Sequence, residues 1–220
     1  MADTYDCSDP EQRKTGIAAA ISALKGGRLV VMPTDTVYGI GADAFDGEAV
    51  AALLEAKGRG RNMPVPVLVG SWHTIQGLVY SVPPSVKELI RAFWPGALSL
   101  VVHQAPSLQW DLGDADGTVM LRMPLHPVAI ELLREVGPMA VSSANISGHP
   151  AAVTAAAARD QLGDRVAVYL DGGPAQAQAA STIVDLTGET PRILREGPVT
   201  AEAIADVLRV DPATLLPQPD

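Results

Sequence analysis

Short apolar runs suited to β-strands and stretches with helical periodicity follow one another along this chain in an irregular order. That irregularity narrows the fold more than any single motif. Strands are predicted at 28–32, 65–69, 98–103, 118–122, 139–141, 166–170, 182–186 and 192–194. The first helix is signalled by Asp9 as N-cap with Pro10 at the first helical position, and it runs to Gly26. Further helices are predicted near 48–56, 71–79, 84–93, 127–136, 154–162 and 201–208. A doubly wound parallel sheet needs regular strand–helix alternation, so the pattern predicts an α/β fold built on a twisted mixed β-sheet with flanking helices. Within 65–69, Pro66 removes a ladder donor and marks an edge or a bulge.

With 220 residues, 47% of them hydrophobic, the chain can fill one large core, and a single domain is expected over 1–209 with a tail at 210–220. Its 20 glycines and 18 prolines are spread out, so they punctuate short elements and do not mark a linker. Cys7 is the single cysteine and permits no internal disulfide, and the N-terminus lacks a basic-then-apolar signal pattern. A cytoplasmic protein is expected. No apolar run approaches the roughly 18 residues of a membrane span. A net charge of −9, from 25 acidic and 16 basic residues, disfavours tight direct nucleic-acid binding but leaves room for a small anion at a local basic cluster.

Three segments concentrate polar groups, two of them at strand ends. Pro33-Thr34-Asp35-Thr36-Val37-Tyr38-Gly39-Ile40-Gly41 follows strand 28–32 and packs hydroxyls, a carboxylate and a phenol beside two glycines. Those glycines allow a positive φ or the close approach of a ligand, while the Asp and Thr residues can equally cap local backbone. Lys57-Gly58-Arg59-Gly60-Arg61 is the densest basic cluster, placed just past a helix, where it either grips phosphate oxygens or forms a solvated basic turn. Val141-Ser142-Ser143-Ala144-Asn145-Ile146-Ser147-Gly148 repeats the first arrangement after another apolar strand. Arg122 ends a strand, where a guanidinium suits either a bidentate carboxylate or an ordinary ion pair.

Neither GxxxxGK[ST] nor GxGxxG after a strand occurs, there is no GxSxG elbow, and four scattered histidines with one cysteine make a structural zinc site a poor fit. Trp72, Trp94 and Trp110 read as core or rim packing.

Taken together, Pro33-Thr34-Asp35-Thr36-Val37-Tyr38-Gly39, Lys57-Gly58-Arg59, Ser143-Ala144-Asn145-Ile146-Ser147-Gly148 and Ser181-Thr182-Ile183-Val184-Asp185, with Arg195 and Gly197, resemble the YrdC-like family of threonylcarbamoyl-AMP synthases. The resemblance covers about 12–208. It implies a large concave cavity and an enzyme, a nucleotidyltransferase that joins L-threonine, bicarbonate and ATP into threonylcarbamoyl-AMP and pyrophosphate. A separate complex then transfers the threonylcarbamoyl group to tRNA. The resemblance further implies Lys57, Arg59, Arg61, Ser143, Asn145 and Arg195 on ATP, and Thr34, Arg122 and Ser181 on threonine. Asp35, Thr36 and Tyr38 would shape the cavity, and Mg2+ would arrive with ATP, its ligands unassigned.

Gly60, Val65-Pro66-Val67 and Ser142 depart from the family pattern and bear on loop rigidity. A chain of this length is expected to be the short, single-domain form. Two other classes stand beside this reading. An RNA-binding or ribosome-associated factor is disfavoured by the charge, and a carbamoyl-transfer domain related to hydrogenase maturation would need accompanying segments that the chain lacks.

Overall fold

A computed structural model describes residues 2–177 and 179–216. Asp9 caps α1 (Pro10–Lys25) by accepting from the Gln12 amide at 2.8 Å, which satisfies one of the donors that a helix N-terminus leaves free. Asp46 does the same for α2 (Gly47–Lys57), and Gly58 ends that helix in the left-handed region at φ 61°. The other helices are α3 (Pro84–Phe93), α4 (Pro127–Val136), α5 (Ala155–Leu162) and α6 (Ala201–Leu208). The stretch predicted as helix at 71–79 is a 3-10 helix, Trp72–Gly77.

The strands are β1 (Asp3–Asp6), β2 (Val30–Met32), β3 (Gly39–Asp43), β4 (Val67–Leu68), β5 (Leu98–His103), β6 (Thr118–Arg122), β7 (Met139–Ser143), β8 (Val168–Asp171), β9 (Thr182–Asp185) and β10 (Arg192–Arg195). They form one mixed sheet in the order β1-β8-β2-β3-β7-β4-β6-β5-β9-β10. Both faces are covered, and alternate residues of each strand enter different layers. Val30 and Met32 pack with Ile17, Leu24 and Leu132 under α1 and α4, whereas Val31 joins Leu53, Leu89 and Ile204 under α2, α3 and α6.

Three sequence expectations change. β1 went unread because its four residues, three of them polar, carry no apolar run, and it is held by parallel pairing with β8. β4 is neither edge nor bulge, since it lies between β6 and β7, and Pro66 precedes the strand and contributes only its carbonyl, to Val141 N at 2.8 Å. Gly39 and Gly41 are not turn glycines. They lie in β3, in the middle of the sheet, without positive φ, and an added Cβ would meet Val141 Cγ1 or Met139 Cε at 2.6 Å. They are small because the β7 side chains cross over them. Within the expected tail, Leu215 is fully buried, and its carbonyl accepts from Ile193 N at 2.7 Å. The end of the tail expected at 210–220 lies outside the described residues. Among the described residues, no helix is long and apolar enough to cross a membrane.

Candidate active site

The ends of β2, β6, β7 and β10, the start of β9 and the loop after α2 surround a cavity of about 210 Å³. It gathers Thr34, Thr36, Tyr38, Arg59, Arg122, Ser143, Ser181 and Arg195 from positions spread over most of the sequence. Eight of the twelve predicted site residues therefore face one space.

Its 33–38 wall is built by local hydrogen bonds. Thr34 Oγ1 donates to Val37 O at 2.6 Å and accepts from Thr36 N at 3.2 Å, so the two threonines fold the segment back on itself. Tyr38, fully buried, donates to Gly173 O at 2.6 Å and accepts from Gly172 N at 3.1 Å. Burial pushes its phenol well above the usual range. Tyr38 thus pins the 33–38 wall to the Asp171-Gly172-Gly173 turn.

Asp35 lies behind the wall. Its Oδ1 accepts from Arg122 Nη2 and from Leu125 N at 2.9 Å, and Arg122 completes its anchorage on Thr36 Oγ1 and Gly96 O, both at 2.8 Å. The pair is almost wholly buried, with side-chain exposures of 7% and 10%. Arg122 is thereby fixed in orientation while keeping N–H groups free of protein acceptors, since a guanidinium carries five and three are used.

Arg59 and Arg195 complete the positive lining. Arg59 donates to Met63 O, Pro64 O and Ser142 Oγ, and Arg195 grips Ser181 O with Nε and Nη2 at 3.0 and 2.7 Å. Burial lowers the pKa of Arg59, Arg122 and Arg195, and the Arg195 charge depresses the other two further. Arg195 lies within Coulomb reach of both Arg59 and Arg122, and the buried carboxylate Asp35 pairs with Arg122 alone, so the cavity is electropositive in a chain of net charge −9. Such a site suits an anion.

Four predicted residues stand off the cavity wall. Lys57 is the last residue of α2, not past it, and is 2% exposed. Its ammonium donates to Ser143 O, to Asn145 O at 2.7 Å and to Asn145 Oδ1 at 3.3 Å. Asn145 spends its amide on Ile146 O and His149 O. Lys57 and Asn145 therefore hold the loop that presents Ser143, and Asp35 holds Arg122. Arg61 points elsewhere. It pairs with Asp111 at 2.6 Å on the surface, where its side chain is 53% exposed.

Two cavity residues escaped the sequence reading. Ser99 Oγ lies 2.8 Å from Ser181 Oγ, and its signal is a lone hydroxyl facing in from the apolar strand β5. Ser142, noted only as a departure from a pattern, accepts from Arg59 Nη1 at 3.2 Å. Among the described residues, no cluster of three His, Cys, Asp or Glu side chains could hold a metal ion.

Comparison with known proteins gives a consistent result. The Sua5/YciO/YrdC family model, described as "Telomere recombination", matches residues 22–197. A Mycobacterium tuberculosis protein provisionally named threonylcarbamoyl-AMP synthase is 78% identical over 215 residues, 98% of this chain and 99% of its own. The Bacillus subtilis threonylcarbamoyl-AMP synthase is 37% identical over 94% of this chain, which spans 59% of that relative. The crystal structure of Pyrococcus abyssi Sua5 complexed with L-threonine superposes with TM-score 0.87 at 32% identity, over 97% of this chain and 63% of that one.

Proposed function

This chain belongs to the Sua5/YciO/YrdC family, and from that premise we infer that it is a threonylcarbamoyl-AMP synthase, an enzyme of nucleotidyltransferase type acting in tRNA modification. ATP and L-threonine are its substrates. The observation that carries the reading at the level of residues is the convergence of Arg59, Arg122 and Arg195 on one cavity, because both substrates are anionic where they must be held.

Bicarbonate, or the carbon dioxide derived from it, is the third substrate in this proposal. The threonine amine, once deprotonated, adds to carbon dioxide with loss of a proton, or to bicarbonate with loss of water, and the carbamate oxygen attacks the α-phosphorus of ATP while pyrophosphate leaves. No protein nucleophile is required. Arg59 and Arg195 neutralise phosphate oxygens, with the Ser143 hydroxyl adding a neutral donor. Arg122, pre-oriented by Asp35, takes the threonine carboxylate, and Thr34 and Ser181 read its other polar groups. Lys57 and Asn145 act through the loop they hold, and Arg61 takes no part. A Mg2+ ion fits as a passenger of ATP. The predicted cavity residues offer hydroxyl and guanidinium groups, and the nearby carboxylate Asp35 lies behind the wall and is committed to Arg122, so phosphate oxygens and water would supply its ligands.

The product then passes to a separate threonylcarbamoyl-transfer complex in the cytoplasm. Incubating the pure protein with ATP, L-threonine and bicarbonate should yield threonylcarbamoyl-AMP by mass spectrometry, with pyrophosphate release that stops when threonine is omitted. Release that continues without threonine would refute the reading and favour a different carbamoyl chemistry.

A further inference from the structure

A second concavity shares no lining residue with the arginine-rich cavity. It lies between the 3-10 helix Trp72–Gly77 and α3, has a volume of about 440 Å³, and is walled by Trp72, Ile75, Val82, Ile90 and Trp94. That size and apolar lining are those of a small-molecule pocket rather than of a surface crease. Lys87, Ile90 and Arg91 share one face of α3 and Trp94 stands at its C-cap, so the apolar wall here is flanked by two cations. Both cations are exposed, and among the described residues no carboxylate lines the space.

The two indoles are held in place. Trp94 Nε1 donates to Leu98 O at 2.8 Å, and the Trp72 ring stacks on His73 at 3.7 Å between centroids. Trp72 nonetheless stays 47% exposed, a large apolar surface left open beside positive charge. Packing alone does not require this arrangement, because the buried side of α3, with Val86 and Leu89, already secures the helix to the core.

We propose that this groove is a binding site for a small amphipathic organic anion, an aryl or short alkyl body lying between Trp72 and Trp94 with its carboxylate or sulfonate on Lys87 and Arg91. The apolar walls favour burial of the body, and the cations select the sign of the head group. Nothing in the threonylcarbamoyl-AMP chemistry uses this site.

The probe is 8-anilinonaphthalene-1-sulfonate, titrated into the full chain and followed by energy transfer from tryptophan. The expected result is saturable binding at one site, competed by octanoate and unaffected by saturating ATP, with transfer reduced in Trp72→Phe. The double variant Lys87→Glu/Arg91→Glu should weaken binding about tenfold or more, and Arg91→Ala should weaken it less. Both positions are exposed, and unchanged synthase activity reports that the fold is intact. Unsaturable binding, displacement by ATP, or equal affinity in the charge-reversed variant would each overturn the proposal.

Discussion

The Lys57 ammonium reaches Asn145 twice, at its main-chain oxygen at 2.7 Å and at its side-chain oxygen at 3.3 Å, while also holding Ser143 O. Lys57 is thus a buried tie between the end of α2 and the loop after β7.

Replacing Lys57 by Met should lower the unfolding free energy by about 2–5 kcal/mol, because carbonyls that now accept from a cation lose their donor. Burial, followed by the Arg59 charge, brings the ammonium down from 10.5 to about 8. The folded protein therefore releases this proton before the unfolded chain does. Stability from this group rises with pH between about 8 and 10.5, and the cost of burying the charge is fully present below that window. Urea unfolding across the window should show that rise in the wild type and not in Lys57→Met. Equal pH slopes would refute it.

Asp35 and Arg122 form a buried pair, so removing one partner strands the other's charge. Asp35→Ala should cost about 3–5 kcal/mol by thermal or chemical unfolding. The milder Asp35→Asn keeps an acceptor. Its KM for threonine should rise while its KM for ATP stays within about twofold, since the loss is one of Arg122 orientation. A larger change for ATP than for threonine would reassign Arg122.

Arg59→Ala and Arg195→Ala should each weaken ATP binding about 10- to 100-fold, the range for a charge-assisted contact, as read by calorimetry on folded protein. Arg61→Ala should stay within about twofold. Its pair with Asp111 is solvent-exposed and contributes little. An Arg61→Ala protein as impaired as Arg59→Ala would show that the cavity boundary is drawn wrongly.

Gly39→Ala should destabilise by about 1–3 kcal/mol, because its Cβ would lie 2.6 Å from Val141 Cγ1, on a stiff β-branched side chain in the adjoining strand. Gly41→Ala should cost less, since its closest contact is Met139 Cε, the far end of a flexible chain, and Val141 Cγ2 stands off at 3.2 Å. Pairing Gly39→Ala with Val141→Ala should recover part of the loss in chemical unfolding. Equal costs at both glycines would count against this packing account.

Local rules made most elements legible. Asp9 with Pro10 fixed the start of α1, and apolar runs located β5 and β6 to the residue. β1 and β3 were not legible. Asp3–Asp6 is mostly polar, and Gly39–Asp43 is rich in small residues, so each is a strand only because a neighbour supplies the ladder. At the site, motif chemistry identified which residues gather but not which of them face inward. Lys57, Asn145 and Asp35 have the side chains of ligands, and their partners are protein atoms.

The sequence by itself determined the class of fold, the electropositive residues available and, through four ordered motifs, the family, because capping, strand patterning and motif spacing are local properties of the chain. Only the tertiary structure decided that Arg59, Arg122 and Arg195 share one cavity, that Asp35 and Lys57 work from behind its wall, and that Arg61 is spent on Asp111. Those outcomes follow from strand order in a mixed sheet, which places side chains from distant parts of the chain a few ångströms apart. No local pattern encodes that order.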